Sequence, residues 1–159
     1  RIFIHRAPYL SFFTQVVSLP SINLPAVDSQ NPFTAIPIPG DHLDWEPLSV
    51  VFLVDEDLQG YRECYGWMRG HGFPETFDEY KEALGAERNN RSRWEILASD
   101  ISVFTNTGSK NANIEFIFKD AIPIMVSAPT LSTTNKDLPV VTSKVMFKYT
   151  LFDVRPVTV

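Results

Sequence analysis

The feature that most constrains the fold is an apolar run in the middle of the chain, Leu48 to Val54, which leads directly into a helical pattern. Apolar residues occupy both faces of this run, which is typical of a strand inside a sheet. Three acidic residues follow it, and the carboxylate of Asp55 or Asp57 can accept the amide hydrogens of a helix's first turn. The sequence therefore predicts a central strand followed at once by a helix.

The helical pattern extends over residues 55–85, which we interpret as a helical insertion in the domain. Apolar side chains at helical spacing predict the buried stripe of the first helix: Leu58, Tyr61, Cys64 or Tyr65, and Met68. Gly70 and Gly72 are predicted to end that helix. A second short helix is predicted to begin at Thr76, because Glu79 three residues later completes a capping box.

The remainder of the chain is predicted to form strands. Alternating or continuous apolar residues indicate strands in five places: Phe12 to Val17, Ile101 to Thr105, Ile114 to Lys119, Ile122 to Ser127 and Val145 to Phe152. A further apolar stretch, Ile2 to Ile4, opens the chain. We expect one β-rich (α+β) domain over residues 1–159, a small β-sandwich or barrel with one or two short helices after the central strand. A chain of this length can bury a core without disulfides or a metal ion.

Residues 19–40, called the arm below, form a long proline-rich segment between two predicted strands. Proline cannot donate to a strand ladder, so the pattern predicts a loop or an extended edge-like segment. Loops this long are uncommon in compact domains and usually have a function. The arm also carries apolar residues that a solvated loop does not need, namely Ile22, Leu24, Phe33, Ile36 and Ile38. We expect these five residues to contact another subunit.

Composition excludes several functional classes. A formal charge of −5 is unlike the dense basic patch of a tight nucleic-acid binder. The single cysteine, Cys64, excludes an internal disulfide framework and a cysteine-rich zinc site. No apolar stretch reaches the roughly 18–20 residues that span a bilayer, so no membrane partner is expected. Because the sequence begins with Arg1, we expect it to start inside a longer chain.

Each candidate for chemistry has a simpler structural interpretation. Asp41, His42 and Asp44 could bind a metal ion, but turn chemistry after Gly40 explains them as well. The acidic residues 55–57 could act as acid and base or bind calcium, although a helix cap needs neither. Cys64 and His71 could be a nucleophile and its base, yet Cys64 falls near the apolar stripe. We predict no catalytic residue, no cofactor and no metal site.

Two further groups could bind ligands. The basic cluster Arg88, Asn89, Asn90, Arg91 and Arg93 could contact phosphate or acidic groups of a neighbouring copy, or form a solvated turn. Trp45, Trp67 and Trp94 could stack on sugars or bases, although a tryptophan in a β-rich fold is more often in the core or an interface. A carbohydrate-binding sandwich that uses Trp45 or Trp94 therefore stays an alternative, and a hydrolase using Asp41, His42 or Asp55 is disfavoured.

The order and spacing of structural residues also resemble a known family. The positions that carry the resemblance are Leu19-Pro20, Ile36 to Asp41, Trp45 to Leu48, Val54 to Glu56, Tyr61, Trp67-Met68, Gly72 to Pro74, Asn113 to Ala121 with Pro123, and Phe147 to Tyr149. In these the chain resembles the tail tube proteins of contractile-tailed bacteriophages.

The resemblance implies a structural virion protein of the tail-tube fold. Such proteins form homo-hexameric rings whose strands join into one inner barrel, and the rings stack into a tube that sheath and baseplate proteins accompany. DNA passes through the lumen without specific binding, and an acidic chain would repel DNA from the wall. The resemblance implies the virion tail as the location, with assembly in the host cytoplasm, and makes the arm the candidate contact to the adjacent ring. A baseplate tube initiator or a tube-capping protein of the same fold is the alternative.

Overall fold

The computed structural model describes residues 1–30, 32–72, 97–131 and 140–157, which contain strands β1 to β11 and helices α1 and α2. In chain order these are β1 (Ile2–Ile4), α1 (Pro8–Phe13), β2 (Thr14–Ser18), β3 (Ile22–Asn23), β4 (Ala26–Gln30), β5 (Ala35–Pro39), β6 (Asp44–Trp45), β7 (Leu48–Leu53), α2 (Gln59–Gly72), β8 (Ser99–Asn106), β9 (Ala112–Val126), β10 (Thr142–Lys148) and β11 (Leu151–Pro156). The predicted β-rich fold, with a helix after the central strand, is confirmed.

The main strands form two antiparallel sheets that share the long strand β9. Sheet A runs in the order β1-β8-β9-β11 and uses the N-terminal part of β9, residues 112–121, of which residues 114–119 are paired on both sides. Sheet B runs in the order β9-β10-β7-β2 and uses Ile122–Val126 of β9. The central position predicted for the Leu48 run is confirmed, because β7 lies between β10 and β2.

The strand β9 passes from one sheet to the other at Asp120. This residue has a φ of 53°, in the left-handed region that aspartate tolerates better than most side chains. Its amide donates to Oδ1 of Asp100 on β8 at 3.1 Å, which satisfies a donor that the bend removes from the ladder. The sequence suggested two strands, Ile114 to Lys119 and Ile122 to Ser127. Because Asp120 bends the chain without a loop, they are one strand.

The core lies between the two sheets and under α2. Alternate residues of β7 and β10 are completely buried, with Leu48, Val50 and Phe52 opposite Phe147, Val145 and Ser143. Trp67 of α2 packs on Phe147 with ring centroids 5.8 Å apart, and its indole N–H donates to the Leu97 carbonyl.

Helix α2 begins as predicted but buries a different stripe. Oδ1 of Asp55 accepts the Gln59 amide at 2.8 Å, so the residue after the strand caps the helix. The buried residues are Gly60, Cys64, Trp67 and Gly70. The inclusion of Tyr65 was wrong, because it is exposed. The sequence pattern missed Gly60 because a glycine carries no apolar side chain, yet here it lets the helix approach the Phe52 ring.

Two other predicted elements need correction. Phe12 and Phe13 end helix α1, so the strand begins only at Thr14. The run Val145 to Phe152 forms two strands, β10 and β11, since the chain turns between Lys148 and Leu151. The arm, for which a loop or an extended segment was predicted, is extended and contains the paired strands β4 and β5. The predicted helix at Thr76 lies outside the described residues. No helix in the described part of the chain is long and apolar enough to cross a membrane.

Candidate assembly interface

The edges of sheet A carry features that prevent pairing with another chain. Its outer strands are β1, which has only three residues, and β11, which contains Asp153, Arg155 and Pro156. Short edge strands, charged side chains and proline are the devices by which soluble proteins avoid edge-to-edge association. Asp153 and Arg155 form an ion pair at 2.7 Å on this edge. Sheet A is therefore closed to further strands.

The edges of sheet B lack these charges. Its outer strands are β2 and the Ile122–Val126 segment of β9, and neither contains a charged residue. Within the described residues, no strand pairs with the outer side of either segment. Pro123 removes one donor from the β9 edge, but Ile124 and Met125 beside it are exposed. An uncharged, unpaired edge is a template for pairing with another chain.

Contacts from two helices hold β2 in place. Helix α1 leads into β2 without a loop, and Oγ1 of Thr14 donates to the Leu10 carbonyl at 2.7 Å. Oε2 of Glu63 on α2 accepts the Leu10 amide at 3.3 Å, so the two helices are joined beside this edge. Burial raises the pKa of Glu63, and the backbone amides of Leu10 and Tyr9 lower it in part. The edge is therefore preorganised and not a loose segment.

The arm extends from the end of sheet B, between β2 and β7, as a β-hairpin of β4 and β5. Every residue of both strands is exposed. The register places Ile36 opposite Ser29 and Ile38 opposite Val27, and residues opposite each other share a face. One face of the hairpin therefore carries Val27, Ile36 and Ile38. An isolated two-stranded hairpin is marginally stable in water, so this apolar face would gain stability from a partner surface.

The five arm residues singled out from the sequence are all exposed. Phe33 near the hairpin turn is 94% exposed, and the other four, Ile22, Leu24, Ile36 and Ile38, lie between 48% and 56%. None of the five belongs to the hydrophobic core of the monomer. Asp28 is the single charged residue among residues 19–40. Apolar side chains on an extended, nearly uncharged segment are typical of a contact surface, and their contact with another subunit stays a prediction.

Backbone contacts close the base of the arm and join it to the segment before β7. The Gly40 amide donates to the Pro25 carbonyl at 2.7 Å, and the Glu46 amide donates to the Ser21 carbonyl at 3.2 Å. A Cβ at position 40 would lie 2.7 Å from the Pro25 oxygen, closer than real Cβ contacts occur. Glycine at position 40 is therefore required for the close approach that shuts the hairpin.

Aromatic side chains link this region to the core. The sequence pattern singled out Trp45 but gave no sign of its partner, Tyr149. Trp45 on β6 faces Tyr149 with ring centroids 6.3 Å apart. Tyr149 in turn contacts the fully buried Phe118 at 4.9 Å. Trp45 thus packs against the protein's own tyrosine. Spacing could not have revealed the pair, because the two residues lie about a hundred positions apart.

The described residues contain no group of three or more His, Cys, Asp or Glu side chains arranged to hold a metal ion. Asp44 lies on β6 opposite Asn23, so part of the Asp41, His42 and Asp44 cluster serves a strand pair. The basic cluster at residues 88–93 and Trp94 lie outside the described residues.

Cys64 lacks the electrostatics of a nucleophile. Burial, with a smaller contribution from the Glu63 charge, raises the pKa of Cys64 to about 12. Burial also lowers the pKa of His71. A reactive cysteine needs its thiolate stabilised, usually by a cation, whereas both groups here are held neutral.

Comparison with known proteins gives one sequence relative. No model of a known protein family matches the chain. The chain is 30% identical over 129 residues to the tail tube terminator protein of Enterobacteria phage T4, covering 76% of this chain and 73% of that protein.

Solved structures with a similar fold come from contractile injection systems. They include a chain of the anti-feeding prophage baseplate (TM-score 0.60, 8% identity, 97% of this chain and 89% of that one). Others are chains of the tube-terminating cap of the same prophage (0.52, 12%, 91% and 80%) and of the sheath/tube terminator of an extracellular contractile injection system, PVC (0.51, 14%, 89% and 84%). Identities this low establish the fold alone.

Proposed function

The chain belongs to the family of the phage T4 tail tube terminator protein, and on that basis we propose that it forms a ring at the end of a tail tube. The observation that carries the proposal is the 30% identity over 129 residues to that terminator. The resemblance found in the sequence predicted a tail tube subunit, with a baseplate tube initiator or a tube-capping protein as the alternative. The identified relative favours the alternative, a structural component of a contractile tail that ends the tube.

The edges of sheet B support a ring of identical subunits. The outer side of β2 in one copy and the outer side of Ile122–Val126 in the next are both uncharged and of similar length. Pairing one with the other is a heterologous contact, which closes into a ring when the rotation between neighbours allows it. Each closure satisfies backbone donors and acceptors that a monomer leaves to water. We propose six copies, the number that the family resemblance implies.

The arm supports attachment of this ring to a neighbouring ring. It leaves the body at one end of sheet B, so in a rotationally symmetric ring every arm lies on the same side. The apolar face formed by Val27, Ile36 and Ile38 is exposed in the monomer. Docking on the last ring of a tube would bury this face and give the ring a single orientation.

Assembly measurements test the proposal. Purified protein is mixed with preformed tubes of its own phage, and the tubes are imaged by electron microscopy while subunits for further growth are supplied. We expect one added ring at one end of each tube and no further elongation from that end. Long regular rods of this protein alone would instead identify a tube subunit.

Copy number and position in the virion separate the remaining alternatives. Quantitative mass spectrometry of particles should give the subunits of a single ring, since a tube subunit must be far more abundant. An antibody label on intact tails should mark the tube end opposite the baseplate. A label at the baseplate would assign the protein as a tube initiator and contradict the terminator assignment.

A further inference from the structure

One face of sheet B is covered by no other part of the described chain. The register of the four strands places three rows of side chains on it: Ser18, Ser49, Met146 and Met125; Val16, Val51 and Lys144; and Leu53 with Thr142, while Ile122 lies opposite Lys148. Its opposite face carries Val50, Phe52, Val145 and Phe147, which are all buried. Sheet B therefore has a core face and a bare face.

The charge of the bare face is the opposite of the charge of the whole protein. The chain has a formal charge of −5, yet among the residues that the structure describes the charged ones on this face are Lys144 and Lys148. Both lysines are exposed, and among the described residues neither has a carboxylate within ion-pair distance. The paired strands of this face carry no acidic residue. The repulsive wall that net charge suggested is not present on this face.

Closure of the ring determines which way the bare face points, so this step rests on the proposed function. When sheet B joins its own copies edge to edge, sheet A and the helices stay attached to the core face. Six such bodies fit only on the outside of the cylinder, where the circumference is larger. The bare face then lines the lumen. Six copies of the four-stranded sheet B give a cylinder of about 24 strands. With strands about 4.8 Å apart and tilted by about 40°, the diameter of this cylinder, measured between backbones, is about 48 Å.

Lys144 and Lys148 then repeat around the lumen as two rings of ammonium groups. The two residues are four positions apart on one strand, so their rings lie about 13 Å apart along the strand direction. The row of side chains between them consists of Ser18, Ser49, Met146 and Met125. The lumen of this ring is therefore cationic.

We propose that this face binds the phosphate backbone of double-stranded DNA through Lys144 and Lys148. Lysine acts on phosphate as a compact point charge. The face carries no aromatic side chain, whereas single-strand binding surfaces use aromatic platforms for stacking. The paired rows of this face contain no Arg, Asn or Gln that could read base edges, so recognition is independent of sequence.

The test compares DNA binding by assembled rings of the wild type and two lysine double variants. Binding of a fluorescent 40-base-pair duplex is followed by anisotropy over a range of NaCl concentrations, after native mass spectrometry has established the ring. We expect Lys144→Gln/Lys148→Gln to weaken binding at low salt by about tenfold or more and to flatten the salt dependence, because fewer counterions are released. The matched control Lys110→Gln/Lys119→Gln removes the same charge outside the bare face, and should change binding by less than about twofold.

A closed circular duplex distinguishes the lumen from the outer surface, because it cannot enter a preformed ring. We expect rings to bind a linear duplex of about 400 base pairs and not the same duplex closed into a circle, a length well above the persistence length of DNA. Equal binding of both forms, or binding that ignores the Lys144 and Lys148 pair, would overturn this proposal and leave the ring intact. Stronger lysine-dependent binding of poly-glutamate than of DNA would overturn it in favour of an acidic protein. A protein that stays monomeric in the mass spectra overturns the proposed ring as well.

Discussion

The hydroxyl group of Tyr149 donates a hydrogen bond of 2.9 Å to the backbone carbonyl of Glu46, 103 positions earlier in the chain. This bond joins the turn between β10 and β11 to the base of the arm. The same tyrosine ring packs on Phe118 in the core. One side chain of the body thus contributes to the orientation of a segment that has no core of its own, beside the backbone contacts at its base.

Replacing Tyr149 with phenylalanine should loosen the arm without unfolding the body. The variant keeps the ring contacts and loses the hydrogen bond, which is worth about 0.5–1.5 kcal/mol. Hydrogen exchange monitored by mass spectrometry should become faster at the Glu46 amide, which donates to the Ser21 carbonyl, and in the adjacent pair of strands β3 and β6. Tyr65→Phe on the exposed side of α2 is the control and should leave exchange unchanged. If these amides exchange as slowly in Tyr149→Phe as in the wild type, backbone contacts alone hold the base of the arm.

The double variant Ile36→Asp/Ile38→Asp should stay folded and fail to attach to a tube end. Both side chains are about half exposed in the monomer, and exposed substitutions usually change the free energy of unfolding by no more than about 0.5 kcal/mol. Attachment is scored by electron microscopy, and stability by urea denaturation. The control Gln30→Asp/Ala35→Asp places the same charges on the opposite face of the hairpin. If the Ile36 and Ile38 variant unfolds, these residues belong to the core and the arm assignment is wrong.

A lysine on the β9 edge should prevent ring closure. Ile124 is 43% exposed on the uncharged edge of sheet B, and a charge there would be buried without a partner when strands pair. We expect Ile124→Lys to remain monomeric in native mass spectrometry with a normal circular dichroism spectrum. Val154→Lys, on the edge strand of sheet A and 49% exposed, should still assemble. The reverse pattern would place the subunit contact on sheet A.

The stability of the protein should fall in alkaline solution because Cys64 is buried. Its pKa is raised from 9.0 to about 12, so the unfolded chain loses the thiol proton above pH 9 while the folded chain keeps it. The stabilisation that this thiol contributes is fully present below pH 9 and is lost as the pH rises from 9 toward about 12. Between pH 8 and pH 10 the loss is about 1.4 kcal/mol.

Comparison with Cys64→Ala isolates this effect from other titrating groups. The variant should be less stable than the wild type by about 1 kcal/mol at pH 8, because a buried group is removed. That deficit should shrink, and even reverse, by pH 10, since alanine has no proton to lose. Urea denaturation at both pH values measures the difference. A deficit that is the same at pH 8 and pH 10 would mean that the thiol titrates normally in the folded state.

The sequence alone was sufficient for the local elements whose signals are contained in adjacent residues. The apolar run from Leu48 predicted an interior strand, and Asp55 was one of the two predicted helix caps, because both depend on neighbours in the chain. The exposure of the five arm residues agrees with the proline pattern around them. The family resemblance led to the right group of tail proteins, while the terminator assignment favoured here needed a relative found by comparison.

The tertiary structure decided everything that depends on pairing between distant residues. Whether an edge is open is a property of the strand order, so the contrast between β2 and β11 could not be predicted from their composition. The bend at Asp120 makes one strand serve two sheets, and it determines which segment of β9 becomes the free edge. Lys144 and Lys148 share a bare face because a strand alternates its side chains, but only the packing of sheet A and α2 on the other face leaves that surface uncovered. Sequence patterns specify which residues are apolar, and the register of the sheets decides which of them remain available to a second molecule.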